Sequence, residues 1–339
     1  MVEASRVLIG VDIGGTKTAI VAAATHPHGL QVIGRRTFPT EPASRSWREA
    51  LGMICEEARA LLKEKGPSRG PDAIGVSCGG PLDSREGVLL SPPNLPGWDR
   101  VPIVEELQKA LGCRAFLQND ANSCALAEWR LGAGMGTRNM IFLTFGTGMG
   151  AGLILDGRLY EGTSDLGGEV GHIRLAEEGP EGYGKAGSFE GFCSGGGIAR
   201  LARAEAEKWL ATGRTVSFCP DAAALDSITA KAVGDAAEAG DPLAREVLAT
   251  TGRYLGRGLA LLMDILNPQR IVIGSIFIRC RRFLQPAMDA EIAREALPGT
   301  ARVCEVVPAK LGDNIGDYAS LSVAVDGLAR HGDPRKEKR

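Results

Sequence analysis

RVLIGVDIGGTKTAIVAAA, residues 6–24, is the stretch on which the fold turns. An apolar run ends at Ile13, a glycine turn follows, and a second run of small apolar residues starts at once, with no room for a helix between them. The pattern predicts strand, tight turn, strand. Glycines closing a strand let backbone N–H groups approach an anion because no Cβ intervenes, and such concavities favour phosphate oxygens. The plainer alternative is a hairpin made by glycine for its own sake. Asp12 stands just ahead of the turn, where a carboxylate either holds a magnesium ion, directly or through water, or caps the turn. The same design returns in TFGTGMGAGLILDG, residues 144–157. Two such segments predict an internal duplication, with two related halves facing a cleft.

Other nucleotide motifs are excluded by what surrounds the glycines. No GxxxxGK[ST] string occurs, so P-loop chemistry is out. The spacing of FGTGMGAG imitates a dinucleotide fingerprint, but GLILDGRLYEG after it reads as strand and turn where that motif needs a helix. Working outward, strands are expected at Leu30–Phe38, Ala73–Cys78, Ala115–Leu117, Met140–Phe145 and within RIVIGS. Helices are expected at Trp47–Lys65, Ala121–Leu131, Pro242–Leu266 and Ile315–Ala329. The Ala73–Cys78 strand runs into GGPLD, a glycine and proline turn at its carboxyl end, which is where open α/β sheets bind ligands.

Composition sets the class. A chain of 339 residues exceeds what one core usually organises, so two domains are expected: 1–117 with 315–330, and 118–314, followed by a solvated tail, 331–339. Apolar residues at 44% and charged residues at 24% argue against disorder and against a coiled coil. The net charge of -2, with no basic stripe, removes the footprint of a nucleic-acid binder and points to small-molecule partners. Eight cysteines are scattered without CxxC pairs, as free thiols of a reducing compartment are. No charged-then-apolar leader and no apolar run of about 18 residues is present, so no membrane partner and a cytoplasmic location are expected.

DIGGTKTAI, QNDANSCALAE, TFGTGMGAG, GGEVGH and FEGFCSGGG, in this order, resemble the ROK family of bacterial sugar kinases and repressors. The resemblance covers nearly the whole chain. It implies the two-domain α/β fold of the actin, Hsp70 and hexokinase superfamily, which is ribonuclease H-like, with an interdomain cleft. It also implies ATP with Mg2+, a hexose acceptor such as glucose or an N-acetylhexose, and a homodimer. Asp12, Gly14, Gly15, Thr16, Lys17, Gly146, Thr147 and Gly148 then surround the ATP phosphates, with Gly274 and Ser275 near the nucleoside. The family usually has a second glycine where this chain has Ser275.

Phosphorylating an alcohol needs a base in reach of the hydroxyl proton, and most of the remaining catalysis is positioning and electrostatics. Asp120, in LQNDAN, follows a short strand and opens an apolar helix, so it serves either as that base or as a helix cap. The resemblance places the family's catalytic aspartate there. A hexose presents adjacent hydroxyls that both donate and accept, so its pocket needs carboxylates, amides and imidazoles from several loops. By resemblance Glu169, His172 and Glu190 contact ring hydroxyls, while Gly79, Gly80, Asn94 and Asn119 line the other side. His26 and His28 read as surface-loop residues.

Family members commonly carry CxCGxxGCxE, whose thiolates complete a zinc site with the histidine of GGEVGH. Aligned on Glu190, this chain reads EGYGKAGSFE, with Glu181, Tyr183 and Ser188 at the cysteine positions. No structural zinc is expected. Gly184 and Gly187 persist, which predicts a retained loop shape held by packing and hydrogen bonds, with the rings of Tyr183 and Phe189 in place of the metal. A sugar-responsive repressor is the competing reading, disfavoured because DIGGT starts near residue 12 and the charge balance offers no DNA-binding surface. A sugar-binding or ATP-hydrolysing module without an acceptor is disfavoured by Asp120.

Overall fold

The computed structural model describes residues 5–27, 29–41, 44–65 and 70–331. Two compact units divide the chain: Met1–Met135, Leu159–Gly167 and Leu311–Arg339 form the first, Gly136–Arg158 and Gly168–Lys310 the second. Along the first run β1 (Val7–Ile13), β2 (Lys17–His26), β3 (Gly29–Pro39), α1 (Trp47–Lys65), β4 (Ala73–Cys78), the hairpin of β5 (Leu82–Asp83) and β6 (Val88–Leu89), α2 (Ile103–Leu111), β7 (Arg114–Asn119) and α3 (Asp120–Leu131). There follow β8 (Met140–Phe145), β9 (Met149–Leu155), β10 (Arg158–Tyr160), the hairpin of β11 (Glu181–Gly182) and β12 (Lys185–Ala186), α4 (Phe189–Phe192), α5 (Gly195–Ala211) and α6 (Ala230–Glu238). The chain closes with α7 (Pro242–Leu266), β13 (Arg270–Ile273), α8 (Ile276–Glu295), α9 (Pro298–Val303), β14 (Glu305–Pro308) and α10 (Ile315–His331).

The first unit's sheet has the order β3-β2-β1-β4-β7, with β1 antiparallel to β2 and parallel to β4, and β4 parallel to β7. Because β1 is covered on both faces, its sequence is a nearly continuous apolar run. Ile9, Val11 and Ile13 pack with Ile54, Ala58 and Leu61 of α1 and with Leu107 of α2. Leu8 points the other way, onto Leu321, Ala324 and Leu328 of α10. Gly10 and Gly75 let α10 cross the sheet at close range: a Cβ on Gly10 would lie 2.3 Å from Ser320 Oγ, and one on Gly75 2.0 Å from Ser320 O.

The second unit repeats the plan. Its sheet has the order β10-β9-β8-β13-β14, with β8 antiparallel to β9 and parallel to β13, and β13 parallel to β14. The duplication read from the two glycine turns is thus present in the topology. Asp241 caps α7 by accepting from Ala244 N, Pro242 opens it, and Asn267 in the left-handed region ends it. Gly252 and Gly256 bring α7 against the backbone of Leu284 and Met288 in α8.

Several boundaries lie elsewhere than the sequence reading put them. The first compact unit continues through α3 to Met135, takes in Leu159–Gly167 and resumes at Leu311, beside expected boundaries at 117/118 and 314/315; α3 packs on α10, a contact between positions far apart in sequence. α10 runs past Ala329 to His331, whose ring stacks on Phe116 with centroids 5.8 Å apart; the rest of the expected tail lies outside the described residues, as does His28.

Candidate active site

In the first unit the turn between β1 and β2 is closed by Gly14 N–H donating to Lys17 O at 3.0 Å. Thr40 clamps it from β3's end, its hydroxyl on Gly14 O at 2.7 Å and its N–H on Thr16 O at 3.0 Å. Among the described residues no hydrogen bond uses the N–H of Gly15 or Thr16, so two donors of a fixed loop are left unused. Thr16 and Lys17 are exposed. Asn94 lies beside this turn: a Cβ on Gly15 would come 2.8 Å from its carbonyl oxygen.

Asp12 sits opposite Ser77 in the neighbouring strand β4. Loss of hydration pushes its carboxyl up to about 6; the charges of Asp120 and Asp317 push the same way, while Lys17 and a hydrogen bond from Ser77 pull it down. Asp317 and its neighbour Gly316 begin α10, and a Cβ on Gly316 would meet Asp12 Oδ2 at 2.6 Å. The sequence reading did not include either residue. No local signal could place them, because the contact is made only when α10 returns to the sheet.

The β7–α3 junction separates cap from base. Asn119 is the N-cap, its side chain accepting from Asn122 N at 2.8 Å, and Ser123 Oγ donates to Asn119 O at 2.7 Å. Asp120 is therefore not needed as the cap of α3. Its Oδ1 accepts from Ala121 N at 2.8 Å. The side chain is open to solvent yet set deep among protein atoms, and the resulting desolvation raises its carboxyl above the ordinary range, against the lowering effect of the Ala121 and Asp120 N–H groups. With Asn119 Oδ1 committed to the cap, its Nδ2 is the group left to meet a ligand. Gly79 and Gly80 follow β4, and the Gly80–Pro81 peptide is cis.

In the second unit Gly146 N–H donates to Gly148 O at 3.2 Å, Gly146 O accepts from Gly195 N at 2.8 Å, and the N–H groups of Thr147 and Gly148 are again unused among the described residues. The two turns therefore match in chemistry as well as in sequence. Ser275, after β13 and beside Gly146, holds φ 52°, a conformation that glycine adopts without strain. Glu190 Oε2 accepts from Met149 N at 3.0 Å, fixing the carboxylate against the Gly146–Gly148 turn.

His172 and Glu169 are exposed on the segment leading into the loop where the family has zinc. Tyr183 and Gly184 form the turn between β11 and β12, both at positive φ, and Gly187 is also at positive φ. Ser188 Oγ accepts from Gly191 N at 3.0 Å and donates to Gly182 O at 3.3 Å. Lys185 Nζ donates to His172 O at 2.8 Å. Phe189 is fully buried, over Gly258 of α7. Tyr183 differs from expectation: it is 77% exposed, because the hairpin turns it outward, and only edges the His172 ring at 6.5 Å. No group of three or more His, Cys, Asp or Glu suited to a metal ion occurs among the described residues.

Two sheets of the same hairpin-then-parallel plan, each with a glycine turn whose N–H donors are unused, define the actin, Hsp70 and hexokinase class of ATP-binding α/β folds. Residues 8–324 match the ROK family, and the chain belongs to that family. It is 29% identical over 317 residues to the glucokinase of Thermotoga maritima, covering 93% of this chain and 96% of that one. It is 31% identical over 270 residues to the N-acetylmannosamine kinase of Salmonella typhi, covering 78% and 81%. A crystal structure of a ROK family glucokinase from Streptomyces griseus in complex with glucose and AMPPNP superposes with a TM-score of 0.69 at 27% identity, covering 96% of this chain and 100% of that one.

Proposed function

We propose that this chain phosphorylates a hexose, glucose foremost, from ATP, with Asp120 as the base that takes the attacking hydroxyl's proton. The observation that carries the reading is the state of Asp120. It begins a helix already capped by Asn119, stays open to solvent, and has a carboxyl made more basic by desolvation. A carboxylate so raised is better matched to general-base work near neutral pH than an ordinary surface one. The glucokinases among its relatives support glucose as acceptor, and the N-acetylmannosamine kinase supports an N-acetylhexose as the second. Amino-hexoses and fructose rank behind these, and a sugar-responsive regulator is the remaining alternative.

In this reading the free N–H groups of Gly15, Thr16, Thr147 and Gly148, with Lys17, receive the ATP phosphates, and Gly274 and Ser275 adjoin the nucleoside. Asn119 Nδ2 donates to a sugar oxygen, Gly79, Gly80 and Asn94 adjoin the ring, and Glu169, His172 and Glu190 accept from or donate to its hydroxyls. Magnesium fits the donor set as a phosphate-bridging ion: one carboxylate, Asp12, stands among negative neighbours, and no all-protein cage is present among the described residues. When bound, such an ion neutralises charge on the transferring phosphoryl group. A homodimer is supported by exposed Leu261 and Ile265 on α7 beside Leu297, whose N–H bonds Asp264. A cytoplasmic location accords with cysteines that are all free, and no described helix is long and apolar enough to cross a membrane.

The test is ADP release from ATP and Mg2+ against a panel of hexoses and amino sugars. Sugar-dependent turnover, greatest with glucose, is expected; ATP hydrolysis indifferent to every sugar would contradict the reading.

A further inference from the structure

Gln118 is buried at the end of β7, immediately before Asn119 and Asp120, and its amide has only one workable orientation. The Glu161 carboxylate accepts from its Nε2 at 2.5 Å, and since an ionised carboxylate only accepts, the NH2 group must face Glu161. Gln118 Oε1 is thereby aimed the other way, where it accepts from Asn122 Nδ2 at 3.0 Å and from the backbone N–H of Asn119 at 3.2 Å. Glu161 is itself held by Arg330 Nη1 at 2.9 Å, and Arg330 is held by Asp326 at 2.7 Å. Four side chains from β7, α10 and the 159–167 segment thus form a chain that ends on the backbone N–H of Asn119, one residue before Asp120.

The same segment makes a second attachment. Asp165 accepts from Ser84 N at 2.8 Å and from Ser84 Oγ at 2.6 Å, fixing the chain that follows Gly79 and Gly80. The 159–167 segment therefore braces two of the three segments of this unit that carry candidate sugar contacts. A fully buried Asn122, whose Oδ1 has no hydrogen-bond partner among the described residues, shows that its orientation is dictated by Gln118 and not by its own best pairing.

We propose that Gln118 is a positioning residue, oriented by Glu161, that holds the Asn119 N–H, and with it the backbone entering Asp120, in register for sugar binding and proton transfer. The role in turnover rests on the kinase reading above; the hydrogen bond to Asn119 does not. Gln118→Glu sets two carboxylates against each other and should release the peptide. Adding Glu161→Gln restores an amide facing a carboxylate with the direction reversed, and the carboxylate introduced at position 118 would again accept from Asn119 N and Asn122 Nδ2.

The experiment compares wild type, Gln118→Glu, Glu161→Gln and the double variant by steady-state kinetics and by amide hydrogen exchange at Asn119. Gln118→Glu is expected to lower kcat at least about tenfold, a loss in keeping with misplacing a general base, with KM for ATP unchanged. The double variant should recover to within roughly threefold of wild type, which loss of fold alone would not do. Exchange at Asn119, read without substrate, should quicken in Gln118→Glu and slow again in the double variant. A Gln118→Glu enzyme within about twofold of wild type, a double variant no better than the single, or unchanged Asn119 exchange overturns the proposal. Should the wild type phosphorylate no sugar, the kinase reading falls by itself and the exchange series still decides whether Gln118 holds Asn119.

Discussion

Asp12 holds its charge against its surroundings. Its carboxyl is raised from 3.8 to about 6, first by desolvation and then by Asp120 and Asp317. Between those two values the folded chain retains a proton that the unfolded chain has released, so raising pH through that window lowers stability. Asp12→Asn removes the burden. The ligand-free, metal-free variant should exceed wild type in unfolding free energy by about 1–3 kcal/mol at pH 7, the gain shrinking toward pH 4, while Mg2+-dependent nucleotide affinity falls. Urea unfolding at pH 4.5 and 7.5 checks it; a gain larger at the lower pH would have the wrong sign. The strand and turn around Asp12 were legible in sequence because apolar patterning and glycine act locally. Gly316 and Asp317 were not, since nothing in GDNIGDYA announces that Asp12 will occupy the space a Cβ at 316 would need. At the β7–α3 junction both Asn119 and Asp120 are good capping types, and only the backbone geometry assigns the cap to Asn119.

At the scale of elements, the loop from His172 to Glu190 is held by packing and hydrogen bonds. Phe189 fills the space over Gly258, and Ser188 joins Gly182 to Gly191, whereas Tyr183 points outward. Phe189→Ala should cost about 3–5 kcal/mol by thermal or chemical unfolding, Tyr183→Ala less than about 1 kcal/mol, and elemental analysis should find far less than one zinc per chain. Stoichiometric zinc, or equal losses from the two substitutions, would contradict this. Sequence indicated both aromatic rings; which one turns inward depends on the hairpin's positive-φ turn at Tyr183 and Gly184, and that lies beyond composition. Ser275 offers a second case. A serine held at φ 52° carries strain on the order of 1 kcal/mol, so Ser275→Gly should raise stability slightly, the gain reduced by glycine's greater unfolded-state entropy. Chemical denaturation that finds Ser275→Gly less stable than wild type would show the conformation to be unstrained.

The chain is a duplicated sheet plan bearing two matched glycine turns, and that much followed from residues 6–24 and 144–157. The expected units already joined 315–330 to the first; that α3 goes with it depends on its packing against α10, a contact between distant positions. Light scattering after size exclusion should give twice the chain mass, with Ile265→Lys moving it toward the single chain; a wild type that runs as one chain at micromolar concentration would remove the apolar α7 surface as a dimer contact. The central claim is tested most directly by kcat of Asp120→Asn under saturating ATP, Mg2+ and the best sugar. Asparagine keeps the size and most hydrogen bonding but lacks the basicity, and Asn119 still caps α3, so the variant should fold and bind nucleotide normally. A fall of about 10²–10⁴-fold is predicted; a well-folded variant keeping more than about a tenth of wild-type kcat would contradict Asp120 as the base.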